Sequence, residues 1–222
     1  MNFGVFDIET DALPESELPP FDESSVKLGR IKDPEKIQLK IDEAKAKWSE
    51  QFALHAETGR VLVIGVHSLK SNGFNFIHEE DESKLLVGWW NFCLRCLDGQ
   101  SCLAGVNIKK FDLPFMARRS WILGVYVPQS LLSFTAYGPR WAPLFLDLSD
   151  VWELGDRQQK SSFDHIGKTL GTGGKTKGDH GASFAELWRN DRETAIDYLR
   201  NDCIQPAKWI ERFFSAEESD DD

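Results

Sequence analysis

The stretch "FGVFDIETDA", residues 3–12, has the pattern of a β-strand with apolar side chains on both faces. Strand side chains alternate between the two faces of a sheet, so Asp7 and Glu9 share one face. Apolar residues on both faces are typical of a strand that is covered on both sides. Carboxylates at such a place lose several kcal/mol of hydration unless something compensates them. Either the strand ends before the two acids, which then lie in a solvated loop, or a metal ion neutralises them.

Composition and charge narrow the possible function classes. The 222 residues suit one domain, and the formal net charge of −10 argues against broad electrostatic attraction to nucleic acid or membranes. A local basic rim and bound cations would still allow an acidic enzyme to handle a polyanion. Residues 215–222 are an acidic end that we expect to be disordered. No apolar run has membrane-spanning length and the N-terminus lacks a signal-peptide pattern, so we expect a cytoplasmic protein.

The four cysteines fit a reducing compartment. Cys93 and Cys96 form a CxxC with the spacing of a helix rather than of a zinc knuckle. Because no second ligand pair follows at a suitable distance, buried thiols are favoured over a zinc site.

The order of predicted elements indicates an α/β domain whose strands come early and whose helices come late. Residues 11–32 are predicted to form a long loop, and a helix follows Asp33, a candidate N-cap. Two strands joined by a Ser-Asn-Gly turn at 71–73 form a predicted hairpin. The later elements are a helix over 83–98, a strand over 101–107, a helix from near Pro114, a short strand over 143–148, and helices beyond it.

Three further residues gain meaning together with Asp7 and Glu9. Asp112, in "GVNIKKFDLPF", follows a strand at the start of a helix, where a carboxylate also serves well as an N-cap. Tyr198 and Asp202, in "YLRND", are four residues apart and share one side of a helix. Taken alone, Asp202 also fits an exposed helix flank, and Tyr198 fits a half-buried aromatic.

Together "FDIET", "GVNIKKFDLPF" and "YLRND" resemble the three sequence motifs of the DEDD superfamily of 3′–5′ exonucleases. The resemblance covers residues 3 to about 214 and points in particular to the proofreading exonuclease domain of family-B DNA polymerases. Tyr four residues before the last Asp is typical of the tyrosine (DEDDy) subclass. The resemblance implies a DnaQ-like, ribonuclease H-like α/β fold, a mixed sheet with flanking helices. It also implies one domain over 1–214, with a helical insertion after the first strand at about 11–60.

The same resemblance implies hydrolysis of phosphodiester bonds from the 3′ end of single-stranded DNA or RNA, with DNA favoured. It further implies two Mg²⁺ or Mn²⁺ ions, hard cations that prefer the oxygen donors of Asp7, Glu9, Asp112 and Asp202. Asp7 would bridge both ions, Glu9 and Asp202 would bind the ion near the attacking water, and Asp112 would serve the other. Tyr198 would orient that water, since an unperturbed phenol titrates at about 10 and is a weak base.

Three residues are candidates for substrate contact. Asn107, at a strand end, either bonds the substrate backbone or shapes the turn. Phe111 either stacks on a base or packs in the core. Lys175 belongs to the glycine-rich segment "GTGGKTKGDHG", whose N–H groups and lysines suit phosphates, although a plain mobile loop fits it as well.

Two features depart from a minimal exonuclease. The insertion at 11–60 is unusually long, and it would line the substrate groove or form a partner surface. Pro206 removes a helical hydrogen bond to the Asp202 carbonyl and predicts a kink or a restarted helix. Two other functions stay open: a nuclease for very short oligonucleotides or RNA, which predicts a closed pocket, and a non-catalytic nucleic-acid-binding scaffold, which the four retained carboxylates disfavour.

Overall fold

A five-stranded mixed sheet forms the centre of the protein. The structure, a computed structural model, describes residues 2–134, 144–156, 158–159, 162–174 and 184–214. The sheet has the spatial order β3-β2-β1-β4-β5, with β1 antiparallel to β2, β2 antiparallel to β3, and β1, β4 and β5 parallel. The strands are β1 (Asn2–Ala12), β2 (Gly59–Ser68), β3 (Gly73–Ile77), β4 (Ser101–Gly105) and β5 (Phe145–Asp147).

Helices cover both faces of this sheet, which confirms the predicted α/β class with flanking helices. One face packs against α2 and α3, and the other packs against α4 to α7. None of the helices in the described part of the chain is both long and apolar enough to cross a bilayer. The helices are α1 (Pro34–Glu50), α2 (Glu82–Asp98), α3 (Asp112–Ile122), α4 (Leu148–Glu153), α5 (Phe163–Thr169), α6 (Phe184–Asn190) and α7 (Arg192–Phe214).

The central strand β1 has the alternating pattern that the sequence predicts. Val5 packs in the apolar layer under α4, α5 and α7, whereas Phe6 packs on the opposite face, with its ring centroid 4.8 Å from that of Trp89. The strand continues through Asp7 and Glu9 to Ala12 and pairs with β2 from Gly4 onward, with a register shift between Glu9 and Thr10. The interpretation in which the strand ends before the two acids is therefore wrong.

The parallel partner of β1 is much shorter than β1 itself. The last pair between β1 and β4 joins Val5 and Ala104. Asp7 and Glu9 lie beyond that pair, where β1 keeps β2 on one edge and loses β4 on the other. The two acids thus leave the fully paired part of the sheet while they remain on its central strand.

The insertion between β1 and β2 consists of α1 and short 3-10 helices. Asp33 caps α1 as predicted, because its carboxylate accepts a hydrogen bond from the Glu35 N–H at 3.1 Å. The apolar stripe of α1 is half-buried, and Trp48 contacts the rings of Phe21 and Phe52 at centroid distances of 5.2 and 4.2 Å. The insertion thus has a small aromatic cluster of its own, and its contribution to substrate or partner binding stays a prediction.

Two predicted helix features differ from the structure. Helix α3 begins at Asp112, two residues before Pro114, and the proline occupies the first turn, where a missing N–H costs nothing. Helix α7 runs through Pro206 without restarting, so that alternative is wrong, whereas the kink stays a prediction. The expected disordered end at 215–222 lies outside the described residues.

Candidate metal centre

Strand β1 and helix α7 bring three carboxylates together. Oxygen atoms of Asp7, Glu9 and Asp202 all lie within 4.8 Å of one another. Asp7 and Glu9 are half-buried, and Asp202 is 4% exposed. Three predicted metal ligands from two distant parts of the chain therefore share one site. Their donors are all carboxylate oxygens, which suits a hard divalent cation.

Helix α7 reaches the sheet at a glycine. Gly65 of β2 is the cross-strand partner of Asp7, and residues directly opposite each other point to the same face. A Cβ atom at Gly65 would lie 2.7 Å from Cγ of Leu199 and 3.1 Å from Sγ of Cys203, both on α7. The missing side chain therefore lets α7 approach β2 closely, which places Asp202 beside Asp7.

The fourth predicted ligand, Asp112, is anchored to the backbone of β1. Its Oδ1 accepts a hydrogen bond of 3.2 Å from the N–H of Ile8, the residue between Asp7 and Glu9. This N–H lies beyond the last pair with β4, so the carboxylate takes the place of a strand partner. Asp112 is 3% exposed and is the first residue of α3, whose N-cap is Phe111, so the N-cap interpretation is wrong.

A cysteine thiol lies beneath the acids. Burial raises the pKa of Cys203 well above its usual value, and the charges of Asp7, Asp202 and Asp112 raise it further, against a backbone hydrogen bond from Asp7. Cys203 is fully buried beneath the carboxylates, which are the half-buried and buried oxygen donors of the site. Asp112 is tied to this group by its hydrogen bond to Ile8, the residue between Asp7 and Glu9.

Tyr198 lies one helical turn before Asp202 and is 7% exposed. Its ring packs on that of Phe184 in α6, with the centroids 5.8 Å apart. The packing matches the half-buried aromatic interpretation, and it also fixes the ring next to the acidic group. The predicted role in orienting water stays a prediction.

The substrate candidates have different outcomes. Asn107 has a left-handed backbone (φ 61°), and its carbonyl accepts hydrogen bonds from the N–H groups of Lys110 and Phe111 at 2.9 and 3.0 Å, as in a turn. Phe111 packs against the core, with its ring 5.5 Å from that of Phe115. Both residues thus have a structural role, and their contact with substrate stays a prediction. Lys175 lies outside the described residues.

A buried aspartate organises this turn, and the sequence patterns did not single it out. Asp147, at the end of β5, accepts hydrogen bonds of 3.0 Å from the N–H groups of Asn107, Lys109 and Ser149. It is fully buried, and burial raises its pKa although these hydrogen bonds act in the opposite direction. The "DLS" at 147–149 is a local N-cap signal, but the other two donors come from a segment about 40 residues away.

The CxxC forms no metal site with other described residues. Both cysteines belong to α2 and are free thiols; Cys93 is buried in the core and Cys96 is half-buried. Burial raises the pKa of Cys93 well above its usual value. Within the described ranges, the one group of three or more potential ligands is Asp7, Glu9 and Asp202. The prediction of buried thiols agrees with this arrangement.

Comparisons with known proteins agree with the fold. Residues 55–207 match a family described as predicted 3′–5′ exonucleases related to the exonuclease domain of PolB. The family B DNA polymerase from the hyperthermophilic archaeon Pyrobaculum calidifontis has a similar fold, with a TM-score of 0.57 and 16% identity. The match covers 95% of this chain and 24% of the polymerase, so the chain spans about a quarter of that protein's length. No curated protein matches the chain. The predicted ribonuclease H-like fold and the PolB-like exonuclease resemblance are confirmed.

Proposed function

Because this chain belongs to the family of predicted 3′–5′ exonucleases related to the exonuclease domain of PolB, we propose that it is a metal-dependent 3′–5′ exonuclease. It hydrolyses phosphodiester bonds from the 3′ end of single-stranded nucleic acid, with DNA favoured. The observation that supports this proposal most directly is the group of three carboxylates from β1 and α7 within 4.8 Å of one another.

The donor set fits a divalent cation. Asp7, Glu9 and Asp202 offer hard oxygen atoms. Asp112 is hydrogen-bonded to the N–H of Ile8, the residue between the two acids of β1. When bound, two Mg²⁺ or Mn²⁺ ions would supply an activated water and neutralise the charge that develops on the phosphate. Asp7, Glu9 and Asp202 would hold one ion, and Asp112 would serve the second together with Asp7.

The other residues of the site position these groups. The backbone of β1 holds Asp112 through the Ile8 N–H, and Gly65 sets the distance of α7 from the sheet. Tyr198, packed on Phe184, would hold the attacking water by a hydrogen bond from its hydroxyl group. Each of these contributions is a matter of geometry, since positioning of reacting groups accounts for a large part of catalytic rate enhancement.

The test is digestion of 5′-labelled single-stranded DNA and RNA of equal length with Mg²⁺ or Mn²⁺. We expect a ladder of 5′-labelled products from DNA, none from a strand whose 3′ end is blocked, and none after chelation with EDTA. The Asp7→Asn variant, which keeps the shape of the side chain, is the matched control and should be inactive. Cleavage of a circular single strand at a comparable rate, or full activity in EDTA, would contradict the proposal.

A further inference from the structure

Two guanidinium groups converge on one carboxylate close to the metal centre. Nη2 of Arg60 lies 3.2 Å from Oδ2 of Asp11, and Nη2 of Arg189 donates to the same oxygen. The side chain of Asp11 is 9% exposed, whereas those of Arg60 and Arg189 are 36% and 56% exposed. One buried negative charge thus holds two positive charges at the surface, and the group has a net charge of about +1 because Arg stays protonated.

This group continues the line of the catalytic acids along β1. Asp11 follows Glu9 by two residues and points to the same face. The pairing shifts register between Glu9 and Thr10, but the extra residue, Leu62, belongs to β2, so β1 itself keeps its alternation. Arg60 is the cross-strand partner of Asp11 on β2, and Arg189 comes from α6, which packs against β1. Two residues of strand separate Asp11 from Glu9 by about 7 Å. The arginines therefore border the carboxylate site on the side towards the C-terminal end of β1.

The group carries one more positive charge than its own carboxylate neutralises. Asp11 is the one acidic partner within ion-pair distance of Arg60 and Arg189 among the described residues. One arginine would be enough to neutralise the buried carboxylate of Asp11. The positive charge of the second arginine could then be balanced by a phosphate group. The planar fork of Arg suits phosphate oxygens, and a side chain already fixed by Asp11 loses little freedom when it binds.

We propose that Arg60 and Arg189 form a phosphate-binding subsite for the substrate strand, beside the metal centre. About 7 Å corresponds to about two stacked nucleotides at ~3.4 Å each. The subsite would therefore contact a phosphate other than the scissile one, and it makes the preferred substrate a strand longer than a dinucleotide. This inference rests on the proposed exonuclease function and specifies its substrate class.

The test is binding of a fluorescein-labelled ten-nucleotide single-stranded DNA, measured by anisotropy over a series of salt concentrations. All proteins carry Asp7→Asn, which prevents hydrolysis during the measurement. We expect Arg60→Gln and Arg189→Gln each to weaken binding about tenfold. Each should also lower the slope of log Kd against log salt by about 0.7, the value for one phosphate contact on a single strand. Competition with a dinucleotide should give the same affinity for all variants.

Arg200→Gln is the matched control. Arg200 lies on the neighbouring helix α7, where it forms an ion pair with Asp197 of the same helix. Its side chain is 47% exposed, and its guanidinium lies over the ring of Phe74. This variant should bind both oligonucleotides as the parent does. Subsite variants that bind the ten-nucleotide strand as Arg200→Gln does would overturn the proposal. So would an equal loss for both oligonucleotides with a lower denaturation midpoint, which indicates a purely structural role.

Failure of the proposed function has a different signature from failure of the subsite. In one outcome, the Asp7→Asn variants bind the strand in the expected pattern, but the protein with native Asp7 releases no nucleotides with Mn²⁺. This result would support the subsite and contradict the exonuclease function. In the other outcome, the native protein and the Arg189→Gln variant degrade the strand with the same KM. This result would support the exonuclease function and contradict the subsite.

Discussion

Gly65→Ala tests how the fold builds the carboxylate site. The new Cβ would lie 2.7 Å from Cγ of Leu199 and 3.1 Å from Sγ of Cys203. Carbon atoms pack at about 3.5–4.0 Å, so α7 must move away from β2 by about 0.8 Å. Overpacking of this kind costs about 1–3 kcal/mol of folding free energy. Asp202, next to Cys203, moves with the helix, whereas Asp7, opposite residue 65, stays on the sheet.

The shift should affect the metal site more than it affects the fold. Mg²⁺ requires near-ideal octahedral geometry, whereas Ca²⁺ accepts variable geometry, so Gly65→Ala should weaken Mg²⁺ binding more than Ca²⁺ binding. A misplacement of about 1 Å near the reacting groups costs about 10²-fold in turnover. Isothermal titration with each cation, urea denaturation and the DNA digestion assay measure the three effects.

Gly88→Ala is the control for this substitution. A Cβ at Gly88, in the interior of α2, meets nothing within 4 Å, so the change should raise stability by about 0.8–1.0 kcal/mol through helix propensity and leave metal binding unchanged. If Gly65→Ala denatures and binds Mg²⁺ as the native chain does, α7 does not rest on Gly65. If stability falls but neither cation binds more weakly, the contact is real and Asp202 is not a ligand.

Two further predictions concern the same site. Mn²⁺ at a hundredfold excess over its Kd should stabilise the fold by about 2.7 kcal/mol, and the resulting rise in Tm should disappear in Asp7→Asn. If Mn²⁺ does not change the Tm of the native protein, the carboxylates do not form a converging ligand group. Tyr198→Phe should lower turnover by about 10²-fold with at most about 1.5 kcal/mol of stability lost, whereas Asp202→Asn should also weaken Mn²⁺ binding. Near-native turnover in Tyr198→Phe, measured under saturating Mn²⁺, would reject water orientation by its hydroxyl group.

The parts of the fold that depend on local pattern could be predicted from the sequence. Alternation of apolar residues places β1 correctly, and the Asn-Gly at 72–73 places the antiparallel hairpin of β2 and β3. Asp33 before Pro34 marks the start of α1 because the cap bond reaches only two residues along the chain. The pattern of α7 predicts that Tyr198 and Asp202 share one edge of its apolar stripe and face partly inward, whereas the structure buries both side chains.

The parts that depend on distant contacts could not be predicted in the same way. A carboxylate at the start of a helix is a good N-cap by local energetics, yet Asp112 bonds to Ile8, 104 residues earlier. The role of Gly65 depends on strand register and on where α7 lies, although a glycine inside an apolar strand is a signal of close approach. Asp147 receives two of its three donors from a separate turn, so its importance appears only in three dimensions.

The electrostatics of the site favour a bound cation over a passive scaffold. Two carboxylate charges within 4.8 Å of each other repel by at least about 3 kcal/mol at an effective dielectric constant of about 20, and three carboxylates form three such pairs. A scaffold has no need for this repulsion, which an uncharged residue at any of the three positions would relieve. The fold instead increases it, because Gly65 brings the Asp202 helix onto the strand that carries Asp7 and Glu9. A divalent ion would reverse the sign of this contribution, and this reversal supports the proposed cation site.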